Sequence, residues 1–254
     1  MKRIIITLLA VCILSSSIYL PSRATEGAYS WYCKRVKDNA QPPLPAEFGF
    51  VEKYKCIWRD KAGSGRVYLT FDAGYENGNI EKILDVLKIK EVKGAFFVLL
   101  NLVETNPDLV KRMNSEGHLV CNHTAHHKDM SKIYEKDVFN SELDILSDAY
   151  TSLTGSPIAK YYRPPEGRFN ENNLKTVQEL GYQTVFWSFA YADWDNNSQP
   201  SPEYARKKIL ENIHDGAVIL LHPTSTTNAA ILGEVIDGIR AMGYEFGTLD
   251  EIIQ

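Results

Sequence analysis

Seven short β-branched or aromatic runs, alternating with six stretches of helical spacing, predict a parallel α/β protein. Two further observations shape that expectation. At 254 residues the chain suits one large domain, and residues capable of chemistry gather where the runs end. Seven units predict a distorted (β/α)7 barrel, slightly short of eight; a doubly wound open sheet is the alternative. A composition of 44% hydrophobic and 24% charged residues, with 16 Gly and 11 Pro, excludes disorder, collagen-like repeats and a disulfide scaffold.

The elements follow in order. Lys2 and Arg3 precede an apolar run over residues 4–14, and Ser22-Arg23-Ala24 offers small residues for cleavage. Residues 1–24 therefore read as a secretory signal peptide, with an uncleaved anchor as the alternative. Without Lys2, Arg3 and Arg23, the 28 Lys+Arg become 25 against 32 Asp+Glu, a net charge of −7. No basic stripe of the kind that grips phosphates is present, so no nucleic-acid partner is expected. Of four Cys, Cys12 leaves with the leader, and Cys33, Cys56 and Cys121 remain. A Cys33–Cys56 disulfide is permitted outside the cell, and three free thiols are equally open.

Residues 25–65, with Tyr29, Trp31, Tyr32 and the run Gln41-Pro42-Pro43-Leu44-Pro45, predict an irregular extension wrapping the main domain. Strands are expected at 67–71, 94–99, 118–121, 161–163, 184–187, 217–221 and 245–247. Helical spacing falls at 80–87, 107–116, 138–153, 171–180, 201–212 and 229–242. In such folds active sites assemble at the C-terminal edge of the strands. There the sequence places Asp72, the run Asn122-His123-Thr124-Ala125-His126-His127, Arg163-Pro164-Pro165-Glu166-Gly167, Asp193-Trp194 and Leu220-Leu221-His222.

His123 and His127 are spaced i, i+4; on a helical turn they would face one side and share a divalent cation, for which zinc is suited. The glutamate of HExxH is absent, since Thr124 follows His123, which argues against a zincin protease. Asp72, directly after an apolar strand, suits a base acting on a metal-bound water. Arg163, pinned before two prolines, could pair with a carboxylate such as Asp72. His222 could protonate a leaving group if a carboxylate held its other nitrogen. His118 and His214 lack such company and read as structural.

These five elements, in this order, resemble the motifs of the polysaccharide deacetylases, the NodB-homology carbohydrate esterases. Thr70-Phe71-Asp72-Ala73-Gly74 is similar to TFDDG, residues 123–127 to H-[S/T]-x-x-H, and residues 163–167 to R-x-P-x-G. Asp193-Trp194 and residues 220–222 supply the fourth and fifth motifs. The resemblance covers residues 66–254 and implies metal-dependent removal of acetyl groups from a glycan. The run Gly74-Tyr75-Glu76-Asn77-Gly78, with Tyr161-Tyr162-Arg163 and residues 186–194, resembles the subgroup of spore-cortex de-N-acetylases that lead to muramic δ-lactam. That resemblance implies a hydrolase acting on N-acetylmuramic acid of peptide-stripped peptidoglycan, exported to the cell wall or forespore envelope. Deacetylases of N-acetylglucosamine polymers or of xylan, and a glycan-binding protein without catalysis, are the alternatives.

By the same resemblance Asp72 is the general base, His123 and His127 are metal ligands, and Arg163 holds Asp72. Asp193 orients His222, the general acid. The backbone N–H of Glu166 helps hold the oxyanion, and Leu220 and Trp194 line the acetyl pocket. The departure is Ala73, where the family has a metal-binding Asp and the subgroup tends to have Asn. Alanine has no donor atom, so a weakly held zinc or other divalent cation is expected, its sphere completed by water, substrate or His126.

Overall fold

The computed structural model describes residues 27–36, 38–60 and 63–252; the leader expected at 1–24 lies outside the described residues. Strand β1 (Tyr29–Ser30) and a 3-10 helix (Ala46–Tyr54) precede β2 (Arg66–Ala73), which is buried along most of its length. The chain continues through α1 (Ile80–Ile89), β3 (Ala95–Val98), α2 (Leu100–Thr105), α3 (Pro107–Ser115) and β4 (Leu119–Asn122). Then come α4 (Lys136–Thr154), β5 (Ala159–Tyr162), a 3-10 turn (Pro165–Gly167), β6 (Arg168–Phe169), α5 (Glu171–Glu179) and β7 (Gln183–Thr184). It ends with α6 (Pro202–Leu210), β8 (Val218–Leu221), α7 (Thr226–Ala241), β9 (Glu245–Phe246) and a 3-10 turn (Leu249–Glu251).

Residues of β2 alternate between two apolar environments because successive side chains point to opposite faces. Val67, Leu69, Phe71 and Ala73 pack among the helices with Leu84, Leu87 and Ile236. Tyr68 faces the other way, with Phe97, Cys121, Val185 and Val218. The strands are parallel in the order β7-β5-β4-β3-β2-β8, with β9 also pairing β2. Beyond β7 the chain swings across to β8 through the parallel bridge Phe189↔Ile219, so the two outer strands are joined and the sheet curls into an irregular barrel.

Three departures from the expected elements have identifiable causes. The strand expected at 184–187 is regular only to Thr184, because the carbonyls of Val185 and Phe186 accept from Arg163 rather than from a strand. The apolar stretch after β3 breaks into the short α2, and Pro107 at the first position of α3 starts a new helix. The last strand is followed by a 3-10 turn closed by a Thr248–Glu251 capping box, not by an α-helix.

Within residues 27–60, Trp31 stacks on Phe186 at 4.2 Å and on Phe48 at 5.1 Å, forming an aromatic cluster with Trp58, Phe169 and Leu174. Cys33, Cys56 and Cys121 are free thiols. Burial pushes the Cys33 thiol up to about 12 and raises Cys56 and Cys121 as well, so all three stay protonated at neutral pH.

Candidate active site

Asp72 lies on β2 next to its C-terminal residue, and parallel pairing brings His123, Arg163 and His222 to the same edge as the first residues after β4, β5 and β8. These ends surround a cavity of about 740 Å³, lined by Asp72, His123, His127, Glu166, Leu220 and His222, with Trp194 on its wall. Arg163 and Asp193 are both essentially buried and bond to groups on that wall. The nine residues singled out from the sequence thus fall on one site.

Arg163 is fully buried and uses every face of its guanidinium. Nη1 donates to Asp72 Oδ1 at 2.8 Å, Nη2 to Thr70 Oγ1 at 2.8 Å and to the Phe186 carbonyl at 3.1 Å, and Nε to the Val185 carbonyl at 3.1 Å. The planar cation also lies 4.1 Å from the centre of the Phe97 ring. Burial alone would raise Asp72. The charges of Arg163 and His222 and the Arg163 hydrogen bond overcome it and hold the carboxyl below the usual range. Asp72 is therefore an anion at neutral pH.

His222 sits on the opposite electrostatic footing. Its Nδ1 donates to Asp193 Oδ1 at 2.7 Å, while its backbone N–H donates to Asp193 Oδ2 at 2.8 Å. Burial pulls the imidazole down, but the hydrogen bond and charge of Asp193, with the charge of Asp72, raise it above the ordinary value against Arg163. An ionised carboxylate and an imidazole made more basic by Asp193 share one cavity, a pairing suited to acid–base hydrolysis.

His123 and His127 meet with ring centroids 5.1 Å apart, but not on a helical turn as their spacing predicts. They lie on an irregular loop in which Thr124 and His127 have φ of 74° and 54°. The loop is held by Glu142, whose carbonyl and carboxylate accept from the N–H groups of Ala125 and His126. His123 Nδ1 lies 2.8 Å from the Arg163 carbonyl. A carbonyl can only accept, so that nitrogen carries the proton and Nε2 keeps its lone pair. Burial pulls His123 down to about 4, the Asp72 charge opposing, which keeps the ring neutral.

Free Nε2 is the chemistry of a metal ligand, and Asp72 Oδ2 lies 3.6 Å from it. The rest of a sphere is missing. Ala73 is a buried methyl in the cluster between sheet and helices, and His126 turns its Nδ1 onto Glu142. Among the described residues no group of three His, Cys, Asp or Glu side chains is placed to hold a metal ion. Catalytic zinc takes three protein ligands, and the two imidazoles here do not fit a resident site of that kind.

Glu166 has a left-handed backbone, φ 55° and ψ 13°, on a turn whose Gly167 packs against Trp187. Leu220 is buried in the cavity wall, whereas Trp194 is 60% exposed and stands at the rim with its ring 6.3 Å from that of His222. The sequence reading missed the roles of Thr70, Tyr191 and Asn228. Thr70 Oγ1 accepts from Arg163 and donates a hydrogen bond to the Ile219 carbonyl at 2.7 Å. Asn228 donates to both Asp193 and the His222 carbonyl. Its spacing from Ser225 reads as a helix cap, a role that its backbone N–H does play, and nothing in the sequence signals the second role. His118 and His214 are buried structural residues, bonded to the Gly94 N–H and to Ser188 respectively.

The polysaccharide deacetylase family profile matches residues 59–185. The chain is 39% identical to the peptidoglycan-N-acetylmuramic acid deacetylase PdaA of Bacillus subtilis, over 88% of this chain and 85% of that protein. The solved structure of Bacillus subtilis PdaA, a family 4 carbohydrate esterase, superimposes with a TM-score of 0.85, covering 89% of this chain and 96% of that one. A peptidoglycan-N-acetylglucosamine deacetylase of Bacillus cereus is 33% identical over 82% of this chain and 75% of its own length.

Proposed function

The chain belongs to the polysaccharide deacetylase family, and from that premise we propose that it removes the N-acetyl group from N-acetylmuramic acid in peptidoglycan stripped of its peptide stems. The observation that carries hydrolysis is the pairing, within one cavity, of Asp72 held by Arg163 with His222 held by Asp193. Similarity to PdaA supports muramic acid as the sugar. The freed C2 amine and the C3 lactyl carboxylate can then close a six-membered lactam with loss of water, provided that the carboxylate carries no peptide. This is the reaction sequence of spore-cortex δ-lactam. We place the protein outside the cytoplasm, on wall glycan strands, consistent with the leader expected at 1–24. Among the described residues no helix is long and apolar enough to cross a membrane.

Asp72 takes a proton from a water as that water attacks the acetyl carbonyl. The Glu166 backbone N–H donates to the oxyanion that forms. His222 gives its proton to the departing nitrogen, the C–N bond breaks, and acetate and the amine leave. Arg163 keeps Asp72 ionised and aimed, and Asp193 makes His222 more basic and aims it. Leu220 and Trp194 bound the space left for a small acyl group. The family is in general metal-dependent; here His123 and His127 are the donors present, and a divalent cation such as zinc would find no complete site among the described residues. Two protein donors leave it weakly bound.

The test is the purified mature chain on stem-stripped peptidoglycan, with chelator or with added zinc, read by mass spectrometry for loss of acetyl from muramic residues. Loss of acetyl there, and not from chitin oligomers, is the expected result. Release from chitin oligomers alone would assign an N-acetylglucosamine deacetylase. Release from neither would leave a glycan-binding protein.

A further inference from the structure

We infer that Asn228, oriented by Tyr191, is a positioning residue that holds Asp193 in the one rotamer able to support His222. Asp193 is buried, and a carboxylate with one oxygen on an imidazole can swing about its last torsion unless the second oxygen is held too. Asp193 Oδ2 accepts from the His222 backbone N–H at 2.8 Å and from Asn228 Nδ2 at 2.6 Å. The same Nδ2 donates to the His222 carbonyl at 3.1 Å. One amide nitrogen thus ties the carboxylate to the backbone of the histidine that the carboxylate serves.

The amide can face only one way. Its nitrogen meets two acceptors, and its oxygen accepts from the Tyr191 hydroxyl. Flipped, it would set oxygen against the Asp193 carboxylate and the His222 carbonyl. Tyr191 and Asn228 are both buried, so water does not readily replace either partner. Asn228 is fixed independently as well, since its backbone N–H donates to Ser225 Oγ at 3.1 Å at the start of α7. The ordered set Tyr191–Asn228–Asp193–His222 therefore runs from the first turn of a long helix to the catalytic imidazole.

This inference rests on the proposed hydrolytic role of His222, and the test separates the two. Two variants, Asn228→Ala and Tyr191→Phe, are compared with wild type by acetate release, thermal unfolding and proton NMR of the His222 Nδ1–H. Asn228→Ala should lower kcat roughly ten- to a hundredfold, the worth of one hydrogen bond to a charged group, with KM little changed. Its low-field Nδ1 proton should broaden into exchange. In an Asp193→Asn background Asn228→Ala should cost little more, because it acts through Asp193. Tyr191→Phe should show the same changes to a smaller degree, and it decides the matter if Asn228→Ala does not fold. Wild-type kcat and an unchanged Nδ1 signal in the folded variants would overturn the inference, as would full additivity with Asp193→Asn. A wild-type protein that shows the held proton but releases no acetate from any glycan would instead overturn the hydrolytic reading.

Discussion

Arg163 and Asp193 act on the site from behind its wall, and their effects on Asp72 and His222 have opposite signs. Replacing Arg163 by Met removes the largest charge that lowers Asp72 and leaves burial to raise it. The acid limb of kcat/KM, where Asp72 gains a proton, should therefore move to higher pH. Unpairing a buried carboxylate should also cost stability, about 3–5 kcal/mol. Replacing Asp193 by Asn removes the charge that raises His222 against burial. The alkaline limb, where His222 loses its proton, should then move to lower pH. A pH–rate series on each variant checks both signs, and an unmoved limb would remove the corresponding residue from the scheme. Asp72→Asn and His222→Ala should each lower kcat by roughly 10²–10⁴-fold, measured as acetate release, and near-normal turnover would withdraw the role. At this scale the sequence displays the titratable groups, because Asp72, His123, Arg163 and His222 directly follow or end apolar strands. Thr70 stands in the first motif, but its role, like that of Asn228, is not legible there. Their side chains matter through partners 93 and 35 residues away in sequence, and no local pattern records such distances.

The elements show where local pattern suffices and where a tertiary partner overrides it. The run of β2 and the amphipathic α1 are readable because each buries a face set by its own period. The segment after β7 has strand-like composition but gives its carbonyls to Arg163, a choice made by the residue that follows another strand, β5. The loop at 123–127 likewise takes its shape from Glu142 on α4 rather than from the helical spacing of its histidines. The turn at 165–167 tests how closely an element must be built. Gly167 has φ 65°, and a Cβ there would lie 2.8 Å from the Trp187 ring and 3.3 Å from Trp31 Cβ. Gly167→Ala should destabilise the protein by about 1–3 kcal/mol. It should also lower kcat/KM, since Glu166, next in the chain, must shift with it. Calorimetry and acetate release measure the two effects. Full stability with wild-type turnover would show that the turn yields at no cost.

Across the whole molecule, the barrel is completed by a segment that carries none of the five motifs. Ile57 pairs with Val185, and Trp31 stacks on Phe186, packs beside Trp58 and Phe169, and donates from Nε1 to the Trp187 carbonyl at 2.8 Å. Those contacts grip residues 185–187, the stretch that leaves regular strand geometry and crosses toward β8. They also reach the candidate site by two short routes. Phe186 presents its carbonyl to Arg163, and Trp187 lines the cavity. The extension is thus a wall support as well as a cover, and Trp31 is where its effect can be read. Trp31→Ala removes a nearly buried ring and its hydrogen bond, which should cost about 3–5 kcal/mol. If the segment only added stability, the variant assayed well below its melting temperature would turn over normally. If it braces the closure, kcat/KM should fall at that temperature too, because the carbonyls that aim Arg163 at Asp72 are no longer pinned. A drop in unfolding temperature with unchanged kcat/KM would confine the extension to a structural role, and a fall in both would tie it to the geometry of the base.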